Sequence, residues 1–178
     1  MLFFTAADAA SYPSSWDWRT LPVLAAKAGA LQPGADPQGD RMETRERLEI
    51  RLWVQKAIAL YESSGKDELL RQIADPQGQF IREKRYIFAL DIDGKLLAHP
   101  FSKPLVGMNL LDLKDCDGKT FVRRMIATSR NRGYGFADYK WRSLDSKEEY
   151  QKTVFFERVD QIVLCGGIYA NSTPFETI

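Results

Sequence analysis

Apolar positions along this chain change period partway, and that change divides it into elements. From Asp40 to Ser63, Ile50, Trp53, Val54, Ala57, Ile58 and Tyr61 recur at i, i+3, i+4, i+7, i+8 and i+11. This is one apolar stripe of helical period. Asp40 with Glu43 three residues on forms a capping-box pattern, and Glu43 to Arg47 is a supportive i,i+4 pair. Gly65 predicts the end of the helix, and a short second helix is expected over Lys66 to Ala74, stopping before Asp75-Pro76.

Beyond Pro76 the period becomes two. Tyr86 to Ile92 reads as a strand, Asp93-Gly94 as a type I′ hairpin turn, and Lys95 to His99 as the returning strand, ended by Pro100. That register sets Phe88 opposite His99 and Leu90 opposite Leu97. Pro104 to Asp115 reads as a loop. A helix is expected over Lys119 to Asn131, with Phe121, Val122, Met125, Ile126 and Ser129 facing inward and Gly133 at its end. Three strands follow: Tyr134 to Trp141, Tyr150 to Arg158 and Gln161 to Tyr169, the last two joined tightly around Val159-Asp160. The order is α+β. Residues 1–40, broken by Pro13, Pro22, Pro33 and Pro37 yet rich in Trp16, Trp18 and Leu21, read as an irregular arm ahead of a domain over residues 41–178.

Charge and motifs narrow the function by exclusion. The net charge of +1 comes from 25 basic and 24 acidic residues, which gives no global field for nucleic acid or anionic membranes. No apolar run approaches the ~20 residues of a membrane helix, and Met1 to Ala10 is a poor signal peptide. Either the chain is cytoplasmic, or the ordinary export element is missing from it. Cys116 and Cys165 form no metal or redox spacing, and the single histidine, His99, has no companion ligand. No phosphate-binding, dinucleotide or nucleophile-elbow motif occurs. Neither a catalytic residue nor a cofactor is expected, and the chain does not read as an enzyme.

A set of segments occurs in a distinctive order: Asp75 to Phe80, Tyr86 to Asp91 with Asp93-Gly94, and Ala98-His99-Pro100. Val106 to Leu110, Leu111 to Asp115, Asp117-Gly118-Lys119, Gly135 to Trp141, Lys152 to Phe155 and Gly166-Gly167-Ile168-Tyr169 complete it. Together they resemble single Cache sensor domains, the extracytoplasmic ligand-binding modules of bacterial chemoreceptors and sensor kinases. The likeness spans roughly residues 45 to 170. It implies a long N-terminal helix packed on a five-stranded antiparallel PAS-like sheet, with a pocket for a small carboxylate such as acetate, propionate, lactate or pyruvate. The membrane anchor and the linker to an output domain usual in that family are not visible.

Lys152 alternates with Tyr150, Val154 and Phe156, which puts an ammonium among apolar residues. It either snorkels to water from an edge or meets an anion. The resemblance favours the anion. His99, facing Phe88, is either a satisfied core residue or a pocket donor, and the resemblance again places it at the pocket. Tyr139 and Trp141 share one strand face, as do Tyr86 and Phe88; both pairs are sheet core or pocket wall. Asp138 should point the other way from Tyr139. Six ligand-binding candidates result: Lys152, His99, Tyr139, Trp141, Tyr86 and Phe88. The Ile50 stripe is core or a helix–helix seam of a homodimer. A sensor or carrier for a small organic acid is the leading reading; the others are a protein-interaction scaffold without a ligand, and an enzyme.

Overall fold

The computed structural model describes residues 45–82, 85–142 and 149–169. The expected arm over residues 1–40, the Asp40 cap and Glu43 lie outside them. Helix α1 spans Arg45–Ala74, and at Gly65 the backbone leaves helical geometry (φ 82°, ψ 176°). Two helical segments thus meet at the glycine expected to stop the first. Then come β1 (Ile81–Arg82), β2 (Arg85–Asp91), β3 (Leu96–Ala98), a 3-10 turn at Lys103–Leu105, α2 (Phe121–Arg132), β4 (Tyr134–Arg142), β5 (Glu149–Val159) and β6 (Ile162–Tyr169).

The antiparallel sheet runs β1-β2-β6-β5-β4, with β3 also on β2. Six strands occupy five rows. One edge of β2 is taken by β6 along its whole length; the other is shared by β1 at Tyr86 and β3 at Ala89. The expectation of five strands differs from this only in the two-residue strand β1.

Strand side chains alternate between faces, and two cores result. Ile87, Ala89, Phe155, Ile162 and Leu164 pack against Ile50, Val54, Ala57, Leu69 and Ile73 of α1. Ile50, Val54 and Ala57 of the stripe are therefore core within this chain, and Trp53, Ile58 and Tyr61 are partly buried against them. Leu48 and Leu52 of the same helix stay exposed. On the opposite face Phe88, Leu90, Val154, Phe156 and Cys165 pack against Phe121, Val122, Met125 and Ile126 of α2. All five residues expected on the inner face of α2 are buried.

The β2–β3 turn differs from the expected type I′ form, which needs positive φ at both central residues. Gly94 has φ 83°, but Asp93 does not have positive φ. Asp91 is the reason. Its Oδ1 accepts the N–H groups of Asp93 (2.9 Å) and Lys95 (2.8 Å), and its carbonyl accepts that of Gly94 (3.1 Å). The carboxylate builds a tight turn with a left-handed glycine behind it, and the pairing shifts between Ala89 and Leu90. Leu90 consequently pairs with Leu96 rather than Leu97, and Leu97 packs on the α1 side. At the β5–β6 turn Asp160 has φ 49° and accepts the Tyr61 hydroxyl at 2.8 Å, fastening the turn to α1.

Asp91→Ala should lower unfolding free energy by about 1–3 kcal/mol, the usual range for hydrogen bonds to a charged group. Asp91→Asn, which keeps an acceptor, should lose less. Urea denaturation of the two variants checks the order.

Candidate functional site

Register positions the site. Lys152 on β5 pairs with Tyr139 on β4 and Tyr169 on β6, so three polar side chains form a row across three strands. Tyr86 comes from the next strand, paired with Gly167. Lys152 is only 2% exposed. Its Nζ donates to the Tyr86 hydroxyl. It also lies over four rings: Tyr86 at 4.2 Å, Tyr169 at 5.1 Å, Phe88 at 5.4 Å and Tyr139 at 5.8 Å. The Tyr86 and Tyr169 hydroxyls are 3.2 Å apart.

No carboxylate among the described residues pairs with this ammonium. Burial pushes its pKa from the ordinary 10.5 down to about 7. That displacement represents roughly 5 kcal/mol of disfavoured charge. Cation–π contacts return about 0.5–2 kcal/mol each, so the four rings offset part of that burial. Cys165, beneath the same cluster, is fully buried, and burial pushes its thiol up, so it supplies no counter-charge. Neither Cys165 nor Cys116 forms a disulfide.

His99 follows β3, its ring 4.9 Å from that of Tyr86 and 5.7 Å from that of Phe88. Its Nδ1 accepts two backbone N–H groups, from Phe101 and Ser102, each at 3.0 Å. An acceptor Nδ1 requires the neutral ring to carry its proton on Nε2. Burial, and secondarily the nearby Lys152 charge, push its pKa down to about 3. His99 is therefore a neutral Nε2–H donor, not a second cation.

The loop after His99 folds back along β3. Leu96 N–H donates to the Met108 carbonyl and Gly107 N–H to that of Leu96. Asn109 joins the Asp93 carbonyl to the Leu111 N–H, and Gly107 has φ 90°. Both residues thus serve backbone geometry.

Between this loop, α2 and the sheet lies a cavity of about 50 Å³. Its apolar wall includes Leu90, Leu96, Leu105, Leu110, Phe121 and Val122. None of its lining residues is acidic. Tyr139, 3% exposed, stacks on Phe121 at 3.9 Å and 16°. Its hydroxyl has no hydrogen-bond partner among the described residues, although buried hydroxyls nearly always have one. Trp141 meets the same Phe121 edge-on at 6.2 Å.

Lys152, His99, Tyr139, Trp141, Tyr86 and Phe88 all line this one cavity. Asp138 points away from it, bonded to Thr153 at 2.6 Å and Arg47 at 3.3 Å. Tyr169 is the residue the sequence reading passed over. The tight turn at Val159-Asp160 carried the signal, because counting back along both strands from it sets Tyr169 opposite Lys152. Phe121 was read as helix core and also walls the cavity.

A family model for the Cache domain matches residues 54–171. The sensor histidine kinase MctS of Rhizobium johnstonii is 34% identical over 86 residues, which are 47% of this chain and 18% of the kinase. The chain thus matches less than a fifth of that relative's length. Among solved structures, the periplasmic sensor domain of a chemotaxis protein is 24% identical with a TM-score of 0.63, over 74% of this chain and 99% of that one. A methyl-accepting chemotaxis protein from Vibrio parahaemolyticus is 25% identical with a TM-score of 0.56, over 70% and 86%. A Cache chemosensory domain that recognises carboxylic acids is 21% identical with a TM-score of 0.59, over 72% and 99%. The chain therefore belongs to the Cache domain family, and the fold it shows is that of a single Cache domain.

Proposed function

We propose that this Cache domain senses or carries a small monocarboxylate of two to four carbons, such as acetate, propionate, lactate or pyruvate, in signal transduction. One observation carries the proposal: a buried ammonium with no acidic partner among the described residues borders a cavity with no carboxylate among its described lining residues. A ligand carboxylate would supply the missing charge through charge-assisted hydrogen bonds. The Tyr86 hydroxyl, His99 Nε2–H and the Tyr139 hydroxyl, which has no partner among the described residues, offer further donors, and Phe88 and Trp141 provide walls.

Size favours the small end of the class. A water needs roughly 10–15 Å³ of such volume, so about 50 Å³ holds roughly three to five non-hydrogen atoms. That is the scale of acetate and propionate. A structural relative of the same fold recognises carboxylic acids, which makes this ligand class the first to test. The open volume also weighs against a collapsed scaffold.

A ligand-sensing rather than catalytic role is what the family and its relatives support. The histidine geometry agrees. A triad histidine donates from Nδ1 to a carboxylate, whereas His99 Nδ1 accepts from backbone. The family's periplasmic setting is the compartment we propose. Among the described residues no helix is long and apolar enough to cross a membrane.

A thermal-shift screen over two- to four-carbon acids tests the reading. An acid at a hundred times its Kd adds about 2.7 kcal/mol and raises Tm by several degrees. Lys152→Met should abolish that shift. Without acid, the same variant should be more stable than wild type at pH 6. A lysine with a depressed folded pKa burdens the fold fully below about pH 7, and the burden is relieved as pH rises toward 10.5. No shift with any acid, or an equal shift in Lys152→Met, would sink the proposal.

Affinity should also depend on pH. The amine must be charged to hold a carboxylate, so Kd should weaken by up to about tenfold per pH unit above 7, with proton uptake on binding. Calorimetry at pH 6 to 9 in buffers of different ionisation enthalpy reads both. An affinity flat across that range would exclude the ammonium as anchor.

A further inference from the structure

Gly166 and Gly167 adjoin on β6 and face opposite sides of the sheet. Neither has positive φ, so the backbone would admit an L-residue at both. Glycine weakens a strand, and each position therefore needs a reason in space. A Cβ at Gly166 would come within 2.8 Å of Val54 Cγ2, 3.0 Å of Ile50 Cγ2 and 3.2 Å of Ile87 Cδ1. Those three are fully buried core side chains. A Cβ at Gly167 would stand 2.5 Å from Lys152 Cε and 3.3 Å from its Nζ, with Val154 Cγ2 next at 3.4 Å.

We propose that Gly167 is a positioning residue for ligand capture: its missing side chain is the gap through which the Lys152 stem crosses β6 to reach the Tyr86 hydroxyl. This deepens the carboxylate reading above and rests on it. The register requires such a crossing. Lys152 pairs with Tyr169, while Tyr86 pairs with Gly167, two residues along β6 and one strand further on. The stem must therefore pass diagonally over the Gly167 backbone. Any side chain there meets the far end of a flexible lysine, which can swing away at little cost to packing. At Gly166 the obstructing groups are locked in the core and cannot yield. The two glycines thus divide the labour: Gly166 admits α1 to the sheet, and Gly167 admits the ammonium to the cavity.

The crossed pair Gly167→Ala and Gly166→Ala tests this. Gly167→Ala should fold with Tm near wild type yet bind acetate, propionate, lactate or pyruvate, whichever the wild type binds, more weakly by on the order of tenfold or more. Gly166→Ala should lose Tm and keep its affinity. A second readout needs no ligand. In protein labelled with ¹³C-lysine, the Lys152 Cε resonance, assigned by its loss in Lys152→Met, should show ring-current shifts and titrate near neutral pH in wild type. In Gly167→Ala it should lose those shifts and titrate near ordinary lysine. A Gly167→Ala protein that keeps the shifted resonance, or loses as much Tm as Gly166→Ala, would overturn the assignment. If no acid binds wild type, the carboxylate reading fails while the resonance still decides the role of Gly167.

Discussion

An ammonium held away from water, with no carboxylate beside it among the described residues, is the constraint around which the site face of this domain is organised. Lys152 is placed there by strand alternation, between Val154 on its own strand and two tyrosines on its neighbours. Removing an ammonium from water costs several kcal/mol even after relaxation. The rings and the Tyr86 hydroxyl offset part of that cost, while burial draws the pKa down toward neutrality. The surrounding polar groups add no negative charge: His99 is neutral, the phenols are neutral, and the Cys165 thiol is held protonated by burial.

The opposite face of the sheet shows what the same strands do without such a demand. There α1 lays Ile50, Val54 and Ala57 onto Ile87, Ala89 and Leu164 in a close-packed layer. β6 serves both layers at once through alternating residues, and its consecutive glycines mark where each layer comes closest. Helix α2, the loop after His99 and the His99 ring are then free to enclose space rather than fill it. The cavity lies between these pieces and the paired strands β2, β3, β4 and β5.

Much of this was legible in the sequence, for identifiable reasons. The Ile50 stripe, the inner face of α2 and the strand alternation are periodicities of two and 3.6, which survive any tertiary context that buries one face. Lys152 stood out because a charge broke an apolar alternation. What escaped depended on side-chain bonding or on register. The Asp91 carboxylate took over the hairpin turn and shifted Leu90 onto Leu96, which alternation alone cannot reveal. Tyr169 was hidden because its own strand reads as core; only pairing to β5 brings it beside Lys152. That the Tyr139 hydroxyl has no partner among the described residues is a fact about distances, and no pattern of residue types encodes it.

The choice of lysine over arginine follows from a sensor's need to exist empty as well as filled. An arginine would offer two parallel donors to a carboxylate, but its guanidinium stays charged at any accessible pH. Buried without a counter-anion, it would load the empty fold with an unrelieved charge. An amine can shed its proton, and here the surroundings bring that exchange close to neutral pH. With the site empty, Lys152 can stand as a neutral amine against Tyr86; with an acid bound, as proposed, it would be a cation facing an anion. Its environment is poor enough to make the charge conditional and polar enough, through its phenol and imidazole groups, to suit the carboxylate the proposal places there. On the proposed reading, that conditional charge lets one small cavity exist in two states without the fold having to change.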